Sequence, residues 1–506
     1  MFRHPARLSG PELLVALATL MMIGSGLSPA TADETVASPS IENQISSQQL
    51  ADIQQELALL RVRDAYWTER EQQLTSGVPM ASSAWLVPCS WDDELPGACD
   101  GCGDLIECGS YCGCGACRSC QCPTPQAPCV DCPRVSTLNP YYNISIFGAV
   151  TVDMVFNGRR PVAPGTPYFL TPGPLPGREQ STFDIHARQS TLGAALVGPQ
   201  LGQWQTGGQV LGVFYNDNVI ADKYGVLPML AYGELRNDAW RFAAGLQFDV
   251  FNPMIPTILP FSALSASGNS GNAFRGQVRA ERFIQPSANS QWTLQAALSE
   301  PIATTIDPTF GISEDAGWPN VEARVALALG EAGAGPAAQR PFEWGVSGVV
   351  GQLRTSPALP DPQVVADVWG VGSDLRVRLS ERFGMAAEMY SGQGLGTYNG
   401  AILQTINRDT LNSVRSTGGW CEVYAYLTPC LHSHWGYGID DPLDRDVSVD
   451  PTALGRIRNE TYFANLLWDL NQSLRIGFEF SWRETVYRVL PGNEGAGFHT
   501  QCRWAF

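Results

Sequence analysis

The chain has 506 residues, with 32 Lys and Arg against 49 Asp and Glu, and its formal charge of −17 excludes a nucleic-acid partner, which needs clustered positive charge. Charged residues make up only 16%, Gly numbers 51 and the mean hydropathy is −0.08, values that alternating strands give when half their side chains meet water. A large soluble β-sandwich has the same composition, so the decision falls to pattern.

The N-terminus reads as a leader. Arg3 and Arg7 precede an apolar run from Leu13 to Leu27, and Ala30-Thr31-Ala32 supplies small residues for cleavage. Residues 1–32 are therefore expected to be a signal peptide, with the mature chain starting near Asp33. No later stretch approaches the roughly 20 continuous apolar residues of a spanning helix, so a membrane-spanning body has to use strands.

Residues 33–75 are expected to be helical. Leu50, Ile53, Leu57, Leu60, Asp64, Trp67, Glu71 and Leu74 recur at alternating spacings of three and four, a heptad seam with two polar interruptions. The preferred reading is a parallel coiled coil that holds a homotrimer together; a single amphipathic helix packed on the body has the same pattern.

Residues 76–140 form a Cys-rich linker. Eleven cysteines lie between Cys89 and Cys132, with Cys99, Cys102, Cys114, Cys117, Cys120, Cys129 and Cys132 in C-x-x-C units, in a stretch almost free of aliphatic residues. Such a segment cannot bury a useful core and has to be ordered by cross-links. Disulfides are the default in an exported protein, and the odd count leaves one thiol free, bonded to another chain, or paired with Cys421, Cys430 or Cys502. Paired C-x-x-C units also have zinc-ligand spacing, although these runs are too close and too redundant for a standard zinc module.

From residue 141 onward the alternation is sustained. Val150, Val152, Met154 and Phe156 oppose Thr151, Asp153 and Asn157; Trp240, Phe242, Ala244, Leu246, Phe248 and Val250 oppose Arg241, Gln247 and Asp249. Leu474, Ile476, Phe478, Phe480 and Trp482 oppose Arg475, Glu479 and Arg483. The final segment sets Phe498, Thr500, Cys502, Trp504 and Phe506 against His499, Gln501 and Arg503, and a terminal Phe on an alternating strand is a mark of outer-membrane barrels. Sixteen such segments are predicted, with long connections at 157–181, 251–272, 301–318, 392–417, 439–458 and 487–497 on one side and tight turns such as Asn237-Asp238 and Ser380-Glu381-Arg382 on the other. The connections 198–207 and 330–342 are longer than this asymmetry favours. The fold class is thus all-β and transmembrane, a 16-stranded antiparallel outer-membrane barrel over 141–506 behind the coiled-coil helix and the Cys-rich segment.

Sixteen strands enclose a lumen too wide for side chains to fill, so an aqueous channel is expected. Lys223 is the only lysine, and alternation projects Arg188, Arg241, Arg275, Arg279, Arg324, Arg475 and Arg483 inward as candidate pore-lining and solute-contact residues. Arg suits a pore wall by its permanent charge and planar fork, while a GC-rich genome gives the same bias. Asp153, Asp184, Asp249, Glu322, Glu388 and Glu479 share that face, so structural ion pairs between strands are the competing reading. The acids Asp440, Asp441, Asp444 and Asp446 are expected in exposed loops. The Pro-rich, then Ser/Gly-rich connection 251–272 is expected to fold into the lumen as a constriction, and Arg275 and Arg279 follow it directly. His432 and His434 share one face without an evident carboxylate partner and are weak metal ligands. No catalytic motif of the G-x-S-x-G, P-loop or H-E-x-x-H type occurs, so no enzyme, cofactor or metal is expected.

The series FDIHARQSTLGAAL (183–196), AYGELRNDAWRFAAGLQFDVF (231–251), ALSEP (297–301), PNVEARVALAL (319–329), EMYSGQGLGTY (388–398) and LRIGFEFSWRET (474–485) resembles the DcaP-like outer-membrane porins over residues 140–506. The resemblance implies a trimer of 16-stranded barrels, a periplasmic N-terminal coiled coil, and uptake of small, often anionic solutes. The Cys-rich insert departs from that family's pattern. The expected function is passive diffusion of small hydrophilic solutes across the outer membrane, lipid being the other partner, with coil and Cys-rich segment in the periplasm. The alternative is an outer-membrane anchor whose coil and Cys-rich module bind periplasmic or cell-wall partners. Metal capture by the Cys-rich block is a third reading.

Overall fold

The computed structural model describes residues 143–506 apart from 174–179, 217–218, 302–312, 315–316, 333–338 and 356–363. The expected leader, the heptads at Leu50, Ile53, Leu57, Leu60, Trp67 and Leu74, and the cysteines between Cys89 and Cys132 lie outside the described residues. Among the described residues, Cys421, Cys430 and Cys502 form no disulfide.

Strand follows strand around one closed sheet. β1 is Asn143–Asn157, and β2 comes in two halves, Thr182–His186 and Thr191–Leu201. Then come β3 Trp204–Tyr215, β4 Tyr224–Arg236, β5 Trp240–Phe248, β6 Phe274–Ser287, β7 Ser290–Ser299 and β8 Asn320–Leu329. The circuit continues through β9 Phe342–Thr355, β10 Val365–Arg378, β11 Phe383–Gln393 and β12 Arg415–Thr428. It ends with β13 Leu431–Pro442, β14 Arg456–Asp469, β15 Leu474–Tyr487 and β16 Asn493–Ala505. Every neighbouring pair is antiparallel, and β1 pairs with β16 from Ala149↔Ala505 to Asn157↔Gly497, so the sheet closes on itself. Closure leaves no strand edge unpaired, which a bilayer requires. A two-residue strand, Ser313–Glu314, adds to the outer end of β9.

Alternation decides which side chain meets which medium. Val150, Val152, Met154 and Phe156 face outward while Thr151, Asp153 and Asn157 are buried between them. Phe478 is 50% and Trp482 38% exposed on the outer face, with Glu479, Ser481 and Arg483 buried inside. A broad apolar exterior of this kind is stable only in lipid. The alternation fails at one predicted place. Val250 is buried rather than lipid-facing, because the chain leaves the wall there and turns inward.

The break in β2 has a local cause. Opposite residues 187–190, β1 runs on unbroken, and the Ser190 hydroxyl completes the ladder, accepting from Thr151 N at 2.9 Å and donating to Thr151 O at 3.2 Å. The connection expected over 198–207 reduces to Gly202-Gln203, since β2 and β3 both extend into it; Gly202 takes a φ of +62°, which glycine adopts without strain. The tight turns stand as read: Asn237 Oδ1 accepts from Ala239 N and Trp240 N, and Ser380 Oγ accepts from Arg382 N and Phe383 N. Both ends of the barrel chain lie at the short-turn side.

Candidate functional site: the lumen and its inward segment

Residues 249–273 leave the wall after β5 and travel round its inner face. The N–H groups of Val250 and Phe251 donate to Glu322 of β8 at 2.6 and 3.2 Å, and Asn252 N donates to Ser347 of β9 at 3.1 Å. Met254 N reaches Glu388 of β11 at 3.0 Å, Thr257 N reaches Glu422 of β12 at 2.7 Å, and Leu259 N reaches Glu479 of β15 at 2.8 Å. Asn465 of β14 donates to Thr257 O, and Gln189 and Gln501 donate to Leu259 O. Four buried wall carboxylates therefore hold the backbone of one segment. An extended backbone inside a cylinder has no ladder of its own, and charged acceptors on the wall satisfy its N–H groups.

A second connection comes inward as well. Residues 394–414 lie against the first segment: Ala266 N donates to Asn399 O at 2.9 Å, Gly271 N to Tyr398 O at 2.6 Å, and Asn399 Nδ2 to Gly271 O at 2.8 Å. Asp440, expected in an exposed loop, is fully buried; it accepts from Tyr390 Oη and from Ile402 N, fixing this segment from β13. The outer ends of β3 and β4 turn apolar side chains inward, so Leu211, Val213, Tyr215, Leu227 and Met229 cluster with Tyr168, Phe169, Ile402 and Leu403 from the connections. Gly372 and Gly438 make this close approach possible: a Cβ at Gly372 would collide with the Asn252 side chain, and one at Gly438 with Ser267 O.

The arginines divide into two groups. Arg275 is fully buried, with Nε 2.8 Å from Asp249 and its Cζ 3.7 Å from the centroid of the Tyr398 ring, so it has no surface left to meet a solute. Arg188 pairs with Asp184 and, at 2.7 Å, with Asp222. Arg241 joins Glu234 at 2.5 Å and Glu281 at 3.3 Å, while Arg279 reaches Glu281 at 3.4 Å. Arg324 joins Asp374 at 2.6 Å and Glu343 at 2.9 Å, and Arg483 donates to Ser481 Oγ at 2.9 Å. The expectation of an Arg-lined path is corrected for these six: all are largely enclosed, and Arg241 and Arg324 tie neighbouring strands together.

Arg475 is different. A cavity of about 200 Å³ lies between the two inward segments and the wall that runs from β14 through β16 and on from β1 to β6. Its polar side carries Arg475, Arg503, Gln501, Thr151, Thr191 and Gln189; its apolar side carries Val213, Leu227, Met229, Ile258, Leu259 and Phe261. Arg475 and Arg503 stand directly opposite each other on adjacent strands. Asp469 holds Arg475 through Nε at 2.5 Å and Nη2 at 3.0 Å. Sequence reasoning placed Arg503 on the inner face without picking it as a site residue, and it passed over Glu422 and the second inward segment. Strict alternation along β12 and β16 was the available signal for both side chains.

His432 and His434 do have carboxylate partners. Asp469 Oδ2 lies 3.3 Å from His432 Nε2, and Glu422 Oε1 lies 3.6 Å from His434 Nδ1. Among the described residues, no group of three or more His, Cys, Asp or Glu side chains is arranged to hold a metal ion.

No family model matches the chain, and no curated protein matches it in sequence. Solved structures do. The outer-membrane channel DcaP of Acinetobacter baumannii superposes with a TM-score of 0.54 at 14% identity, covering 72% of this chain and 97% of that one. OmpT of Vibrio cholerae (TM-score 0.45, 9% identity, 72% and 98% covered) and an anion-selective porin from Comamonas acidovorans (0.45, 11%, 72% and 100%) are more distant. The chain thus has the fold of the outer-membrane channel DcaP.

Proposed function

We propose that the protein is a passive diffusion porin whose path for small hydrophilic solutes, anions preferred, runs between the inward segment and the β15–β16–β1–β2 wall. The observation that carries this reading is the facing pair Arg475 and Arg503 on the polar side of the remaining cavity, with Asp469 as the carboxylate on Arg475. Two fixed guanidinium groups on the polar side of this cavity raise the local potential, and such a field favours anions. No covalent step and no energy coupling are needed. The assembly is read as a homotrimer, with the N-terminal coil and Cys-rich segment in the periplasm, the side on which outer-membrane barrels carry their short turns.

The packed inward segments favour a second reading, a closed barrel that anchors periplasmic or cell-wall contacts. Conductance in planar bilayers separates the two. Stepwise openings in groups of three support the porin, and a barrel that inserts without conducting supports the anchor.

A further inference from the structure

Along the inner wall from β12 to β15 runs a chain of titratable groups, in which His434 Nδ1, at the Glu422 end, is buried without a hydrogen-bond partner. Glu422 Oε1 faces His434 Nδ1 at 3.6 Å, His434 Nε2 faces His432 Nδ1 at 2.9 Å, His432 Nε2 faces Asp469 Oδ2 at 3.3 Å, and Asp469 holds Arg475. Three gaps separate these acceptors, and each needs a proton on one side. Two neutral imidazoles carry only two N–H protons. With both rings neutral, one carboxylate must face an imidazole lone pair. With both rings doubly protonated, two N–H groups collide across 2.9 Å. One extra proton, taken from water, fills all three gaps.

We propose that His432 and His434 bind one proton as a single unit, and that this proton sets both the charge of the wall beside Arg475 and the hold on the inward segment. The two ends of the chain give it that reach. Glu422 also accepts from Thr257 N at 2.7 Å and Thr257 Oγ1 at 3.2 Å, and Asp469 is the carboxylate that offsets the cavity arginine. The other ionisable groups around the pair come from β12 and β10: Tyr426 stacks on His432 at 4.9 Å, Tyr424 lies 5.6 Å from His434, and the charges of Arg376 and Arg378 act on Tyr424. Loss of the proton makes the wall one charge more negative and turns a lone pair toward Glu422. Anion preference then falls, and Glu422 is left to the Thr257 N–H and hydroxyl alone. The effect on permeation rests on the porin reading above; the proton count does not.

Two readouts test the proposal separately. In histidine-labelled protein in micelles, nuclear magnetic resonance over about pH 5–8 should show both rings changing together in one step that takes up one proton. His434→Gln should return His432 to an independent titration. Two unlinked steps in the native protein, or uptake of two protons in the same range, would overturn the proposal. In bilayers, the anion-to-cation permeability ratio should fall about two- to four-fold as pH rises through that step, the effect of one charge about 10 Å from a path in water with and without screening by salt. In His432→Asn/His434→Gln the same change should be missing. His186 and His499, both on Asp153, are the same in native protein and variant, so the difference isolates the pair. A ratio that falls equally in both proteins would contradict the coupling. A protein that shows the single-step titration but never conducts would refute the porin reading and leave the shared proton standing.

Discussion

Arg275 and Arg475 carry the same charge on the same wall, and their surroundings give them opposite roles. Arg275 is enclosed with Asp249 and Tyr398, both side chains of the ion pair being fully buried. Arg275→Ala should therefore leave a buried carboxylate unpaired and cost about 3–5 kcal/mol, measurable as earlier unfolding in denaturant. Arg475 lines the remaining space beside Arg503, and its truncation should alter permeation far more than stability. The sequence put both guanidinium groups on the inner face by alternation. It did not disclose which had a carboxylate waiting, because Asp249 lies 26 residues before Arg275 and strand register decides that they meet. Asp440 is the same lesson reversed: an acid in an Asp-rich stretch reads as a loop residue, and the register of β12 against β13 places it beneath the second inward segment.

The inward segment is the element that occupies the lumen. Its Pro-rich opening and its length after β5 marked it in the sequence, and its position within the lumen is set by Glu322, Glu388, Glu422 and Glu479 on four strands. Those partners were not legible, since they lie 71 to 220 residues further along the chain. A charge-assisted hydrogen bond contributes about 1.5–3 kcal/mol, so Glu422→Ala should let the centre of the segment leave the wall while the barrel stays folded. A spin label at residue 263 should report the gain in mobility, and an unchanged spectrum would mean that the remaining carboxylates suffice.

The outer connections respond to pH in a different range. Arg415 beside Asp446 holds that carboxyl below the usual carboxylate range, and the Ser448 hydroxyl and Val449 N–H do the same for Asp409. A group whose folded value is depressed stabilises above its unfolded value of about 3.9 and loses that contribution as pH falls through the lower folded one. Hydrogen exchange across 443–455, taken relative to the intrinsic rate at each pH, should thus be slow at neutral pH and rise only below about pH 4. A rise near neutrality would point to another group.

At the scale of the molecule, sixteen alternating segments sufficed to foresee a closed cylinder, because period-two patterning is the physical condition for a wall between lipid and water. Phe478 and Trp482 point outward as that requires. The lumen was foreseen as a wide Arg-lined channel, and there the reading fell short: two connections fold in, and six of the seven chosen arginines are largely enclosed, Arg241 and Arg324 joining neighbouring strands. Packing of connections against one another depends on contacts between distant parts of the chain, which alternation along a single strand does not encode.

The most direct test is the zero-current potential of single channels in a potassium chloride gradient, for the native protein and for Arg475→Ala/Arg503→Ala. The native channel should give the sign of chloride selectivity, and the double variant should move toward zero or reverse. Cation selectivity in the native channel, or a potential that the double substitution leaves untouched, would contradict a path along Arg475 and Arg503.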